Sequence, residues 1–345
     1  DRHRAFAARL REEIGAAGPR LTQPLETVFF GGGTPTLLAA DLWAGILAAL
    51  AEHVPDRGEE ITVEANPETV AEPLLAVLAA GGVNRISVGV QSFHARHLET
   101  LQRRHGPGAA ARSVELARAA GIDNISLDLI FGIPGQSLDE WLGDLETALA
   151  LEPAHLSCYG LTYEPGTPLA ARVRAGDIHR LDEDLEAAMY EAAIDRLAQA
   201  GFEHYEISNW ARPGRRCRHN LLYWLNAQWW PLGPGAAGHV GGWRWSNAAQ
   251  LDDYLGGGGL PPITGAERLD DDGRAGEALM LGLRLVEGMP PERVDRLLAA
   301  GSRGGQRAGA IERHADAGLL ERGSGRLRLT RRGLLLADTV LADLV

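Results

Sequence analysis

Glu26-Thr27-Val28-Phe29-Phe30-Gly31-Gly32-Gly33-Thr34-Pro35-Thr36 carries an apolar, β-like run directly into three glycines. Consecutive glycines strip the side chains from one stretch of backbone, so a ligand can lie against main-chain N–H and C=O groups. Pro35 fixes the exit direction, and its missing N–H costs nothing in a loop. A tight turn is the plainer reading of such a run, and the residues downstream decide between turn and ligand cradle.

Further β-like runs occupy 60–65, 84–90, 124–131, 155–162 and 203–207, with helical stretches at 40–52, 69–80, 109–120, 138–150 and 182–200. This alternation predicts βαβ units and a parallel sheet, and so an α/β chain built as a complete or partial (β/α) barrel. An open doubly wound sheet is the alternative, but Gly31–Gly33 lacks the G-x-G-x-x-G spacing of a dinucleotide fold. The runs end in polar residues: Glu64-Ala65-Asn66-Pro67, Gln91-Ser92, and Asp128 inside Ile125–Ile130 before Phe131-Gly132-Ile133-Pro134-Gly135. In a barrel these ends converge on one face, which places Glu64, Gln91 and Asp128 over the glycines. Carboxylates there suit a ligand rich in hydroxyls and amines, and Arg103 could balance a ligand carboxylate.

The chain has 345 residues, enough for two or three structural units, and its 45% hydrophobic content suits a packed core. A net charge of −12 argues against general nucleic-acid binding. No lysine occurs, which excludes a Schiff base. No apolar run is long enough for a transmembrane helix. The two cysteines, Cys158 and Cys217, form no disulfide framework and fit a reducing cytoplasm.

Read in order, Gly31–Thr36, Glu64–Pro67, Gly89-Val90-Gln91-Ser92-Phe93, Asp128–Gln136 and Tyr163-Glu164-Pro165-Gly166-Thr167 resemble the coproporphyrinogen III oxidase-like branch of the radical S-adenosylmethionine superfamily. The likeness continues through Glu206–Ala211, His219-Asn220-Leu221-Leu222-Tyr223-Trp224 and Gly233-Pro234-Gly235-Ala236, and covers essentially the whole chain. It implies a partial TIM-like barrel with S-adenosylmethionine across its C-terminal face, held by Gly32, Gly33, Thr34, Glu64, Gln91, Arg103 and Asp128. The barrel would span 1–210, an aromatic, glycine-rich connection 211–260, and a helical, winged-helix-like domain 261–345. Within the branch, His219-Asn220-x-x-Tyr223-Trp224 and Arg244-Trp245-Ser246-Asn247 resemble the HemW type, whose members look like heme chaperones. The alternatives are an oxygen-independent coproporphyrinogen III dehydrogenase and a cluster-less ligand-binding barrel.

The family's [4Fe–4S] cluster sits on a Cys-x-x-x-Cys-x-x-Cys loop, expected upstream of residue 1, so no metal ligand is expected within this chain and the chain alone should be inactive in radical chemistry. Where the family places a histidine after its Gly-x-Gly-Ala run, this sequence has Ala237, with His239 two positions later. Heme is the implied cargo, its recipient protein unspecified. The aromatic stretch 205–247 could offer a flat wall for a porphyrin, or pack as a structural cluster, and His219, or Cys217 two residues before it, could supply an axial heme ligand. Gly256–Gly259 with Pro261-Pro262 reads as a linker; beyond it lie helices at 272–286, 291–300 and 307–318, a hairpin turning at Gly323-Ser324-Gly325, and a closing helix at 331–344.

Overall fold

A computed structural model describes residues 2–323 and 325–345, so Ser324 of the expected hairpin turn lies outside the described residues. Strands β1 (Thr27–Phe30), β2 (Glu60–Ala65), β3 (Arg85–Gln91), β4 (Asn124–Phe131) and β5 (His155–Gly160) pair in parallel and in sequence order. The sheet curls into a partial barrel, completed by β6 (Glu203–Glu206) and β7 (Asn209–Ala211) in the order β5-β7-β6. The sixth run is therefore not another parallel strand. It is one arm of an antiparallel hairpin whose other arm inserts beside β5. No glycine marks this turn. The Glu206 carboxylate closes it instead, accepting from the Ser208 N–H at 3.2 Å and from the Asn209 side-chain amide.

Each parallel strand alternates strictly, and that alternation builds the layers. Ile61, Val63, Ile86, Val88, Ile125, Leu127, Leu129, Leu156 and Cys158 face outward and form one core with Leu75, Leu78, Trp141 and Leu145 of the surrounding helices. Burying each such large side chain is worth about 1.5–3 kcal/mol. The helix Leu138–Ala150 starts on a capping box, with the Ser137 and Glu140 side chains each satisfying the other's backbone N–H.

The first helix, Arg2–Ala17, packs on Ala40–His53 and is stitched to a distant part of the chain. Its buried Glu13 accepts from the Gly233 N–H at 3.1 Å and from the Tyr254 hydroxyl at 2.6 Å, and Arg9 Nε donates to the Tyr254 carbonyl at 3.1 Å.

After β7 comes a short helix, Arg218–Trp224, then an antiparallel sheet of Ala237–Val240, Trp243–Asn247 and Ile263–Arg268. The last of these strands lies beyond the glycine-proline stretch 256–262 and pairs back across it. Helices Asp271–Gly282, Pro291–Leu298 and Gly304–Asp316 precede a hairpin of Leu320–Gly323 and Arg326–Leu329. The expected closing helix is two, Arg331–Leu335 and Ala337–Ala342, broken at Leu336. The Val286 N–H donates to the Tyr205 carbonyl at 3.1 Å, tying this C-terminal part to the β6–β7 hairpin.

Candidate functional site

The inward positions of the strands are polar. Glu60, Thr62 and Glu64 of β2, Arg85 and Ser87 of β3, Ser126 and Asp128 of β4, and His155 and Ser157 of β5 stand side by side in the strand register. Asp128 accepts from the Ser87 hydroxyl at 3.0 and 2.9 Å and, more weakly, from that of Ser126 at 3.4 Å. Burial pushes its pKa up, while the bonds from Ser157 and Ser87 and the charge of Arg85 work against that rise.

The Arg218–Trp224 helix lies against the inner faces of β1 and β2 and floors the barrel. Glu60, 4% exposed, accepts from the backbone N–H groups of Arg218 and His219 at 3.0 Å each, so a β2 carboxylate satisfies two of this helix's orphan donors. His219 stacks on Phe29 with ring centroids 4.8 Å apart; its Nδ1 lies 2.7 Å from Thr27 Oγ1 and its Nε2 3.1 Å from the Tyr223 hydroxyl. Both ring nitrogens are thus engaged, and burial lowers the imidazole pKa to about 4. The neighbouring rings Tyr223, Trp229 and His239 continue this run at 4.7 and 5.0 Å, edge-on or tilted rather than as one flat wall.

Above this floor the glycine run opens. Gly32 and Gly33 have φ of +81° and +126°, and a Cβ built on either meets nothing within 4 Å. Only glycine adopts this backbone readily, and the space beside it is clear. Gly31 differs: its Cβ would lie 2.5 Å from Phe29 Cε1 and 2.8 Å from Glu64 Oε2. The Gly32 N–H donates to that same Oε2 at 3.1 Å, so strand end and glycine loop share one carboxylate. Burial raises the Glu64 pKa, the Gly32 N–H opposes this, and the charge of Asp128 adds to it. Thr34 leads into the turn Pro35–Leu37, which Thr36 fastens to the end of β2 through the Asn66 N–H at 3.3 Å.

Gln91 sits at a bulge in the β3–β4 ladder with φ +67°, a conformation costing a non-glycine residue about 1–3 kcal/mol and concentrated at functional sites. Asp144 holds the next two residues, accepting from Ser92 Oγ at 2.7 Å and the Phe93 N–H at 2.6 Å. Arg103 stands apart. It lies in the turn after Ala95–Thr100, is exposed, and its side chain makes no hydrogen bond or ion pair among the described residues. The structure thus brings Gly32, Gly33, Thr34, Glu64, Gln91 and Asp128 to one end of the barrel, over a buried layer of Glu60, Arg85, Ser87, Ser126 and His155 that motif reading at the strand ends did not single out. Two partly desolvated carboxyls beside an open glycine backbone favour a ligand carrying positive charge and hydroxyl donors.

The radical SAM superfamily model matches residues 3–148, and the HemN C-terminal domain model matches residues 269–336. The heme chaperone HemW of Mycobacterium tuberculosis is 42% identical over 342 residues, covering 97% of this chain and 85% of that protein. The chain belongs to the HemW family. The HemW heme chaperone of Bacillus subtilis, 34% identical, is matched over 88% of its length. Among solved structures, Escherichia coli coproporphyrinogen III oxidase (HemN) superposes with a TM-score of 0.82 over all of this HemW-family chain and 84% of its own; at 20% identity that likeness speaks for the fold.

Radical SAM membership implies S-adenosylmethionine and a [4Fe–4S] cluster, and the described residues fit the two differently. The sulfonium and ammonium of S-adenosylmethionine match the Glu64–Asp128 end of the barrel, and its ribose diol supplies donors. The thiols do not fit a cluster. Cys158 faces the outer core and Cys217 lies against Glu60 with its Sγ 3.6 Å from Oε1; burial pushes both thiols up, Cys217 to about 11. Among the described residues no group of three or more His, Cys, Asp or Glu side chains could hold a metal ion.

Proposed function

We propose that this chain is a heme chaperone that binds heme and hands it to an acceptor protein, on a barrel that also binds S-adenosylmethionine. The carrying observation is the 42% identity to a HemW heme chaperone along nearly the whole chain. In this reading Gly32, Gly33 and Thr34 line the methionine end of S-adenosylmethionine, Glu64 and Asp128 balance its positive charge, and Gln91 completes the lining. Arg103, exposed on its turn, would join only by swinging toward a ligand carboxylate. His219 would meet heme iron by exchanging the Tyr223 hydroxyl at Nε2 for the metal.

The test is hemin uptake followed by transfer. The purified chain should bind hemin saturably with a shifted Soret band, and adding an apo-acceptor such as apomyoglobin should move that band to the acceptor's. Uptake no greater than that of an unrelated acidic protein, or uptake without transfer, overturns the proposal.

A further inference from the structure

A cavity of about 540 Å³ opens between the C-terminal end of β5, the β6–β7 turn and the helix break of the C-terminal domain. That volume falls within the roughly 300–1,000 Å³ of small-molecule sites. Its walls are of two kinds. Leu335, Leu336 and Tyr159 supply apolar surface, and Leu336 and Tyr159 are 43% and 42% exposed, far more than core residues of their size. Ser208, Thr162, Thr339 and the charged pair of opposite sign, Arg284 and Asp338, supply the polar side.

Arg284 is the unusual member. Its guanidinium carbon lies 4.6 Å from the centre of the Trp224 ring, and it makes no ion pair within 4 Å among the described residues. Its Nε is buried without a hydrogen-bond partner. The nearby acid, Glu206, accepts from the Ser208 N–H and the Asn209 amide through Oε1, while its buried Oε2 has no hydrogen-bond partner and the charge of Arg284 acts on the carboxylate from beyond ion-pair distance. A guanidinium on the cavity wall without an ion pair, opposite exposed apolar side chains, suits a flat apolar molecule bearing a carboxylate.

We propose that this cavity is a tetrapyrrole site, with a propionate on Arg284 and the ring against Tyr159 and Leu336; the proposal rests on the heme-chaperone reading. The C-terminal domain then supplies part of the cargo site, and carboxylate recognition is separate from any iron ligand. Metal-free protoporphyrin IX, its dimethyl ester and oleate isolate these features by fluorescence titration in one detergent buffer. The intact chain should bind protoporphyrin IX at least tenfold more tightly than the ester. Arg284→Gln should abolish that preference, with Arg284→Lys restoring part of it. Leu336→Glu, at an exposed position, should weaken both porphyrins. Equal affinity of Arg284→Gln and the unmodified chain for protoporphyrin IX, or displacement by oleate at equal concentration, overturns the site. Hemin uptake and transfer that persist under either result leave the chaperone reading standing, whereas no saturable uptake of hemin or protoporphyrin overturns both.

Discussion

Replacing Gly31 with alanine should strain the glycine loop through two particular neighbours. The added methyl would stand 2.5 Å from Phe29 Cε1 and 2.8 Å from Glu64 Oε2, where carbon contacts settle near 3.5–4.0 Å. Neither neighbour gives way freely: Phe29 is stacked on His219, and Glu64 holds the Gly32 N–H. Overpacking of this kind costs about 1–3 kcal/mol, measurable as a lower urea midpoint at fixed pH. Because one clashing atom belongs to Glu64, Glu64→Ala should relieve part of the strain. The Gly31→Ala/Glu64→Ala pair should therefore depart from additivity by at least about 0.5 kcal/mol in the stabilising direction. Gly33→Ala is the control. Its methyl meets open space and its cost is backbone strain at φ +126°, so with Glu64→Ala it should add within about 0.3–0.5 kcal/mol. Additive behaviour of the Gly31 pair would refute the shared-carboxylate geometry.

His204 stacks on Trp210 at 4.2 Å, and burial lowers its pKa to about 4. The unfolded chain then binds more protons, so this residue's contribution to stability is complete above its ordinary value near 6.5 and is lost as pH falls toward 4. His204→Phe, which keeps the stack, should flatten the stability–pH curve in that window, and an unchanged slope in urea titrations from about pH 7 to 4 would count against the assignment. The Asp272 carboxylate accepts from the Ser302 and Arg303 N–H groups at 2.9 and 2.8 Å, which lower its pKa to about 2. Its contribution holds above the ordinary value near 3.8 and fades as pH falls toward 2. A thermal-melt difference between Asp272→Asn and the unmodified chain should therefore be largest at about pH 6 and shrink to a small remainder by about pH 2; a constant difference would refute it.

The barrel was legible because its helices and outward strand residues obey ordinary periodicities, and because Gly31–Gly33 interrupts a strand in a way only a turn or a ligand requires. The layer beneath the site was equally available: Arg85-Ile86-Ser87-Val88, Asn124-Ile125-Ser126-Leu127-Asp128 and His155-Leu156-Ser157-Cys158 alternate polar and apolar residues without a break. Such alternation ordinarily signals a strand with one solvated face, and here the second face is the barrel's interior. The β6–β7 hairpin left no such trace, since its turn relies on the Glu206 side chain where glycine or Asn-Gly would normally advertise it. The helix end at Leu336 was hidden for a similar reason: no proline or glycine interrupts Leu334-Leu335-Leu336-Ala337. Arg103 is a different case, because spacing after Gln91 gives its distance along the chain but not the direction of its turn.

The clasp on Glu13 bears on how the chain is made. Glu13 and Tyr254 are separated by 241 residues, so at about 5–20 residues per second the ribosome needs roughly 10–50 s between one and the other. Throughout that interval the first helix has a carboxylate meant for burial and nothing to bury it against. The helix can settle its apolar face on Ala40–His53 as soon as that segment emerges, but Glu13 and Arg9 find their partners only when Gly233 and Tyr254 arrive. Synthesis order and assembly order therefore differ: a helix made before the barrel strands is completed by residues made after them.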